Sequence, residues 1–253
     1  MLIDTHAHLN FLNFNKDLTQ VIERAHNNGV KYFIVPGVNK ETNEKAIELA
    51  IQNPCIKATV GIHPCYWENE DPFSIEKYLR CPQVVAVGEI GLDLYHDKSY
   101  LPIQKKNLQI QIKLAMKYNL PIILHARESF LEIYQILLPY KDKIKGVFHC
   151  LTSNLDELEK ALELGFYVGL GGIVTYEKAL EAHKIVQKAP LDKILLETDA
   201  PFLTPFPIEK SKRNEPEFLK IIAQKIADLR KINIKDISEQ TTKNAKKLFN
   251  LDI

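Results

Sequence analysis

Histidine and carboxylate side chains stand at the ends of several short apolar runs in this sequence. His6 and His8 follow the first run two positions apart, so both rings project to the same side of an extended segment and can hold one cation. The ionisable residues at such ends are Asp4, His6, His8, His63, Glu89, Asp93, His125, His149, Glu197 and Asp199. Imidazole and carboxylate suit a divalent metal such as zinc or manganese. Four of these histidines together with Glu89 and Asp199 provide more ligands than one tetrahedral site needs, which favours two metals that share a carboxylate.

The elements that must position these residues form a repeating pattern. Eight apolar runs occupy residues 2–4, 31–36, 56–61, 84–88, 121–125, 146–149, 166–170 and 193–198. Runs of this kind suit strands that are covered on both faces, as in a parallel sheet. Segments of helical period lie between or after them, at residues 17–27, 104–118, 155–164, 216–230 and 236–248. The alternation predicts successive βα units.

The number of units and the chain length together indicate the fold class. Eight βα units in 253 residues match a (β/α)₈ TIM-type barrel, which we predict as a single domain over residues 1–253. A doubly wound open sheet is the alternative, but no G-x-G-x-x-G follows the first run and no Walker loop is present. In a barrel, all the βα loops open at the C-terminal ends of the strands. The predicted fold therefore brings the strand-end side chains to one mouth.

Composition excludes several other classes of protein. Hydrophobic residues make up 45% and charged residues 26%, as in ordinary globular chains. The net charge of +1 excludes a polycationic nucleic-acid coat and a strongly membrane-steered surface. The N-terminus lacks a signal-peptide pattern, no apolar run approaches the ~18 residues of a membrane span, and the four cysteines form no C-x-x-C pair. We expect a cytoplasmic protein with reduced thiols and with no membrane or protein partner.

The remaining histidines and two of the thiols have simpler interpretations. His26 and His183 lie in helical segments, where a structural role is the ordinary one. His96, in the loop after the fourth run, either lines the site or is solvated. Cys150 should point away from the neighbouring histidine because side chains alternate along a strand, and Cys65 has no evident basic partner. We expect neither thiol to act as a nucleophile.

Eight segments together resemble a known family, and they occur in the order that the family has. They are DTHAHL (4–9), VGIHP (60–64), VGEIGLD (87–93), PIILHARE (121–128), FHC (148–150), LLETDAPFLTP (195–205), KRNEP (212–216) and TTKNAKKLF (241–249). The sequence resembles the TatD family of metal-dependent deoxyribonucleases, within the amidohydrolase-like barrel superfamily. The DTHxH segment is shared with many amidohydrolases, whereas GEIGLD with ETDAPxLTP and RNEP is specific. The resemblance covers essentially the whole chain.

The resemblance implies a (β/α)₈ fold and a site with two divalent metal ions. One ion would be held by His6, His8, Glu89 and Asp199, and the other by Glu89, His125 and His149. Glu89 would then bridge the two ions, in the place that related amidohydrolases often give to a carboxylated lysine. His63 and Arg127 would lie behind the ligands or contact phosphate, and Arg213 would contact phosphate.

The implied activity is hydrolysis of DNA phosphodiester bonds, with nucleotides removed from an end. Two ions of magnesium, manganese or zinc would bind a phosphate oxygen and lower the pKa of a water. Asp199 is the expected base, with Glu89 as the second catalytic residue. A net charge near zero fits an enzyme that grips a few nucleotides of single-stranded or frayed DNA. Three aromatic residues at the mouth would stack bases or pack their own loops: Tyr66, Trp67 and Tyr95.

Two alternatives remain open from the sequence. The same activated water suits a carbonyl substrate, so an amidohydrolase or a deacylase, such as a D-aminoacyl-tRNA deacylase, would need no other ligand set. A non-catalytic nucleic-acid or partner-binding protein on a degenerate barrel would be marked by lost ligands. All six proposed ligands are present, which favours an enzyme.

Overall fold

The apolar runs form eight parallel strands that pair in chain order. The computed structural model describes residues 1–95 and 97–253, except for the side chain of Asn69, so His96 lies outside the described residues. The strands are β1 (Leu2–Asp4), β2 (Val30–Pro36), β3 (Ile56–Val60), β4 (Val84–Asp93), β5 (Ile122–Arg127), β6 (Gly146–Phe148), β7 (Tyr167–Leu170) and β8 (Ile194–Leu196). The backbone N–H of Thr5 donates to the carbonyl of Leu196 at 3.0 Å, and Ala7 bridges Ala200. These contacts bring the last strand back to the first and confirm the predicted (β/α)₈ barrel.

Helices surround the strands and follow the predicted alternation. They are α1 (Leu18–Asn27), α2 (Lys40–Gln52), α3 (Leu101–Lys117), α4 (Phe130–Leu137), α5 (Leu155–Glu163), α6 (Leu180–Lys188), α7 (Leu219–Arg230) and α8 (Ile234–Phe249). Between β3 and β4 the principal helix is a 3₁₀ helix, Pro72–Tyr78. Predicted segment 216–230 divides into a 3₁₀ turn, Pro216–Phe218, and α7. Within the described residues, no helix is both long and apolar enough to cross a membrane.

The interior of the barrel is apolar at one end and polar at the other. One buried cluster joins strand residues to the end of α8: Ile3, Ile34, Ala86, Ile123, Val147, Tyr167, Leu195, Ala245, Leu248, Phe249 and Leu251. Side chains two positions apart on a strand point to the same side. His125, His149 and Glu197 lie two positions after Ile123, Val147 and Leu195, so they face the same interior. Helix α8 therefore closes the N-terminal end of the barrel, while ionisable side chains gather at the opposite mouth.

Candidate metal centre at the barrel mouth

Glu89 on β4 lies at the centre of a buried group of imidazoles. Its Oε2 atom is 3.3 Å from Nε2 of His6 and 3.6 Å from Nε2 of His8. Its Oε1 atom is 3.0 Å from Nδ1 of His125 and 3.1 Å from Nε2 of His149. Since the two oxygens face different imidazoles, Glu89 has the geometry that a ligand shared between two cations needs.

The Oε2 side of Glu89 also contains a second carboxylate. Oδ1 of Asp199 lies 3.4 Å from Nε2 of His8 and 3.7 Å from Nε2 of His6, and these two ring nitrogens are 3.3 Å apart. Ligand atoms of His6, His8 and Glu89 all lie within 4.8 Å of one another. A cation among two imidazole nitrogens and two carboxylate oxygens can accept a lone pair from each donor. The donor set on this side therefore fits a divalent metal.

His63 lies on the other side of Glu89, together with His125. Its Nε2 atom is 3.6 Å from Oε1 of Glu89, and the ligand atoms of His63, Glu89 and His125 also lie within 4.8 Å of one another. The sequence placed His63 behind the ligands or against phosphate. In the structure it lies beside the same oxygen as His125 and His149, so the Oε1 side has three imidazoles in reach.

Two carboxylates behind the imidazoles are absent from the ligand set expected from the sequence. Oδ2 of Asp93 is 3.0 Å from Nε2 of His125, and Oε1 of Glu197 is 3.5 Å from Nδ1 of His149. Carboxylates in this position fix the orientation of metal-binding histidines. Glu197 has room because residue 169 is glycine, where a methyl group would overlap its carboxylate. The signals were present, since Asp93 ends GEIGLD and Glu197 opens ETDAP.

The electrostatics of the cluster combine charged carboxylates with some neutral imidazoles. Burial raises the pKa of Glu89 and of Asp199, but the surrounding histidines outweigh it and hold both pKa values below the ordinary range. Burial lowers the pKa of His149, but the charge of Glu89 outweighs it and raises that pKa well above normal. Burial also lowers the pKa of His6, and it lowers the pKa of His63 to about 3. His6 and His63 are thus neutral donors beside ionised carboxylates.

The thiols near the mouth are poor nucleophiles. Burial raises the pKa of Cys65 to about 11, with Asp93 adding to the effect, since Oδ2 of Asp93 lies 3.7 Å from its sulfur. Burial raises the pKa of Cys150 to about 12. Both groups stay protonated at neutral pH, and a thiolate is the reactive form. This protonation state supports the interpretation of both residues as structural.

Asp4 ties the first and last strand ends together. Its carboxylate accepts hydrogen bonds from Oγ1 of Thr198 at 2.6 Å and from the backbone N–H of Thr198 at 3.0 Å. The N–H of Asp199 donates to the carbonyl of His6 at 2.8 Å. Asp199 itself has φ of 57°, in the left-handed region that side-chain-bearing residues adopt at some cost. These contacts fix Asp199 beside His6.

Three buried amide side chains pair with the backbone at the ends of β3 and β4. Asn43 exchanges two hydrogen bonds of 3.0 Å with the backbone of Gly61. Gln111 accepts from the N–H of Ile62 at 2.7 Å and donates to its carbonyl at 3.1 Å. Gln104 makes the same pairing with Asp93, at 3.0 and 3.1 Å. Each amide therefore replaces a neighbouring strand and holds a backbone segment that carries a site residue: His63 after Ile62, and Asp93 itself.

Replacing Gln111 with leucine should damage both stability and activity. The N–H and the carbonyl of Ile62 would lose their partners in the interior, so we expect the free energy of unfolding to fall by about 2 kcal/mol. The adjacent His63 would no longer be fixed, and we expect hydrolysis to slow by about 10- to 100-fold. Denaturant melts and steady-state rates measure the two effects. Gln109→Leu is the matched control, because Gln109 is exposed on the same helix, and equal behaviour of the two variants would contradict this role.

Arg127 and its aromatic neighbours lie at the rim of the mouth. The guanidinium carbon of Arg127, at the end of β5, lies 3.7 Å from the ring centroid of Tyr95. The Tyr66 ring lies 6.2 Å from the ring of His63, and Tyr66 and Tyr95 are 44% and 54% exposed. Trp67 instead packs against Tyr100 with ring centroids 4.7 Å apart. Two of the three predicted aromatic residues thus present exposed rings beside the site, and Trp67 supports its loop.

Arg213 has protein carboxylates as partners. Its Nη2 atom lies 2.6 Å from Oδ2 of Asp17 and 2.7 Å from Oε1 of Glu215. Arg24 also contacts Glu215, at 2.8 Å. The hydrogen bonds that the guanidinium donates to the carboxylates of Asp17 and Glu215 raise its pKa. The phosphate contact expected for Arg213 would require it to leave these partners, so that role stays a prediction, while the observed contacts join the start of α1 to the loop after β8.

Comparison with known proteins agrees with this geometry. The model of the family described as TatD-related DNase matches residues 3–250. The metal-dependent hydrolase YabD of Bacillus subtilis is 39% identical over 256 residues, which cover 100% of both chains. The 3′-5′ ssDNA/RNA exonuclease TatD of Erwinia tasmaniensis is 36% identical over 99% of this chain and 100% of its own.

A solved structure also resembles the whole chain. The crystal structure of YJJV, a TatD homologue from Escherichia coli K12, superposes with a TM-score of 0.94 at 32% identity. The match covers 99% of this chain and 98% of the other. The barrel, the grouped histidines and carboxylates and these full-length similarities agree, and the chain belongs to the TatD-related DNase family of metal-dependent hydrolases.

Proposed function

We propose that this protein is a two-metal exonuclease that removes nucleotides from the 3′ end of single-stranded DNA. The observation that carries the proposal is that the two oxygens of Glu89 face different imidazoles, Oε2 those of His6 and His8 and Oε1 those of His125 and His149. A carboxylate placed in this way can give one oxygen to each of two ions. The polarity and the single-stranded substrate are taken from relatives whose names state a 3′-5′ ssDNA/RNA exonuclease.

The donors divide into two groups that fit one ion each. His6, His8, Asp199 and Oε2 of Glu89 would hold the first, and His125, His149 and Oε1 of Glu89 the second, with His63 adjacent to the second. Mixed imidazole and carboxylate donors suit zinc and manganese, and magnesium to a lesser degree. When bound, such ions neutralise phosphate charge and supply an activated water.

The chain's own residues have distinct tasks in this proposal. The side chain of Asp199 is 13% exposed, compared with 4% for Glu89, so water can reach Asp199 more readily. Asp199 is ionised and can take the proton of the attacking water, while Glu89 stays between the two groups of imidazoles. Arg127 is exposed at the end of β5 and can bind a phosphate oxygen by a charge-assisted hydrogen bond. Tyr95 stacks on Arg127 and limits the directions in which its guanidinium can point.

End-labelled oligonucleotides test the proposal directly. Chelator-stripped protein would be incubated with single-stranded DNA labelled at either end, with magnesium, manganese or zinc added back. We expect a metal-dependent ladder that shortens from the 3′ end, and slower cleavage of a blunt duplex of the same sequence. Absence of cleavage with every metal, in protein shown to bind two ions, would contradict the nuclease assignment. Turnover of an ester or an aminoacyl substrate under the same conditions would then indicate a deacylase.

A further inference from the structure

Two phenylalanine rings project from turns that begin at site residues. The N–H of Phe11 donates to the carbonyl of His8 at 3.0 Å, and the N–H of Phe202 donates to the carbonyl of Asp199 at 2.8 Å. The carbonyl of Phe202 in turn accepts a hydrogen bond from the buried side chain of Asn214. Each turn is therefore short and is tied to a site residue, so the backbone that carries each ring has a defined place beside the site.

The two rings form one surface with the imidazole of His8. The Phe11 ring stacks on His8 with centroids 4.5 Å apart and an interplanar angle of 26°. The Phe202 ring makes T-shaped contacts with both other rings. Its centroid lies 6.0 Å from that of His8 and 6.1 Å from that of Phe11. Phe202 is 50% exposed and Phe11 is half-buried. We call Phe11 and Phe202 the phenylalanine pair; it places an apolar, aromatic surface directly against a cluster of charged groups.

The phenylalanine pair lies on the opposite side of the barrel mouth from Arg127 and Tyr95. Phe11 follows β1 and Phe202 follows β8, and these strands are neighbours at the closure of the barrel. Tyr95 follows β4 and Arg127 ends β5, halfway around the ring of eight strands. A phosphodiester at the metal centre would thus have the phenylalanine pair on one side and Arg127 with Tyr95 on the other.

We propose that the phenylalanine pair binds, by stacking, the nucleobase of one nucleotide that flanks the scissile phosphate. This inference rests on the proposed nuclease function. Every base offers a planar π face, so a stacking site accepts all sequences, as an exonuclease requires. A base that stacks on Phe202 would cover its exposed ring and exclude water from the His8 side of the site. Phe202 and Phe11 are then binding residues for the substrate base and take no part in proton transfer.

Fluorescence of a base analogue tests this site without relying on cleavage. The probes are two single-stranded oligodeoxynucleotides with 2-aminopurine at the 3′-terminal or the penultimate nucleotide, and with phosphorothioates at the terminal linkages to slow hydrolysis. Stacking quenches 2-aminopurine emission, and anisotropy of a remote label measures binding. Phe202→Leu removes the aromatic face but keeps an apolar side chain, and Phe202→Tyr restores the face. Phe206→Leu is the matched control, because Phe206 is 55% exposed on the same loop.

We expect wild-type protein and the Phe202→Tyr and Phe206→Leu variants to quench one of the two probes. Phe202→Leu should lose the quenching and bind about 10-fold more weakly. Equal quenching by Phe202→Leu, or binding by wild-type protein without quenching of either probe, would overturn the base site. Absence of oligonucleotide binding by wild-type protein would overturn it as well. Cleavage by the same proteins reports separately on the proposed function. Cleavage together with quenching that does not depend on Phe202 would support the nuclease and contradict the base site. Quenching that depends on Phe202, without cleavage of an unmodified oligonucleotide, would support a base-binding surface and contradict the nuclease.

Discussion

Replacing Glu89 with glutamine or alanine should nearly abolish hydrolysis, by about 1000-fold or more, while the barrel remains folded. Glutamine keeps the shape of the side chain but removes the negative charge that both groups of imidazoles share. The glutamine amide has one oxygen, so at most one side of the centre keeps an oxygen ligand from this side chain. The side chain contacts the imidazole cluster at the barrel mouth, so we expect the fold to survive.

Three measurements on the Glu89 variants separate chemistry from folding. They are kcat at saturating metal, metal ions bound per chain after dialysis, and the thermal unfolding midpoint. Glu48→Gln, an exposed glutamate on α2, is the matched substitution and should change none of them. Wild-type turnover by a Glu89 variant would show that the shared-carboxylate account is wrong. A variant that fails to fold would be replaced in the test by Glu89→Asp, which keeps the charge and shortens its reach.

Asp199→Asn should lower kcat by about 100- to 10,000-fold, because the proposed base loses its ability to take a proton. The neighbouring histidines hold the pKa of Asp199 below its ordinary value of 3.8, so the carboxylate is ionised through the neutral range. Protonation of Asp199 inactivates the base only as pH falls below that value, and wild-type kcat should therefore show no loss from this residue down to about pH 5.

The matched control for this variant is Asp192→Asn, an exposed aspartate just before β8. It should retain wild-type kcat and wild-type metal binding. If excess metal restored Asp199→Asn to wild-type kcat, Asp199 would be a ligand without a role in proton transfer.

Much of the site could be predicted because strand ends in a barrel converge on one mouth. His125 and His149 follow inward-facing Ile123 and Val147 by two positions, so alternation alone aims them into the barrel. The structure brings together all six residues of the predicted ligand set. What alternation cannot supply is distance, and for that reason the place of His63 beside Oε1 of Glu89 was not evident.

The role of the amides that support the site could not be predicted from the sequence. Gln104 and Gln111 lie on the same face of α3 as Leu108, Ile112 and Ala115, which predicted the buried side of this helix. A polar residue within an apolar stripe is a sign of a buried hydrogen-bond partner. The sign does not say which backbone groups are paired, because those lie in strands distant along the chain.

Arg213 shows a different limit of sequence reasoning. The KRNEP segment favoured a phosphate contact, but two carboxylates occupy the guanidinium, and one of them belongs to Asp17 at the start of α1. Charge complementarity between segments 196 residues apart follows only from the closure of the barrel. A motif identifies the type of interaction that an arginine can make, and the fold determines its partner.

Anomalous diffraction from crystals soaked in manganese tests the shared-carboxylate centre most directly. We predict two peaks roughly 3.5–4 Å apart, one near His6, His8 and Asp199, the other near His125 and His149, with Glu89 in contact with both. Glu89→Gln crystals, soaked in the same way, should lose at least one peak. A single peak in the wild-type protein, or two peaks of which only one touches Glu89, would contradict the account.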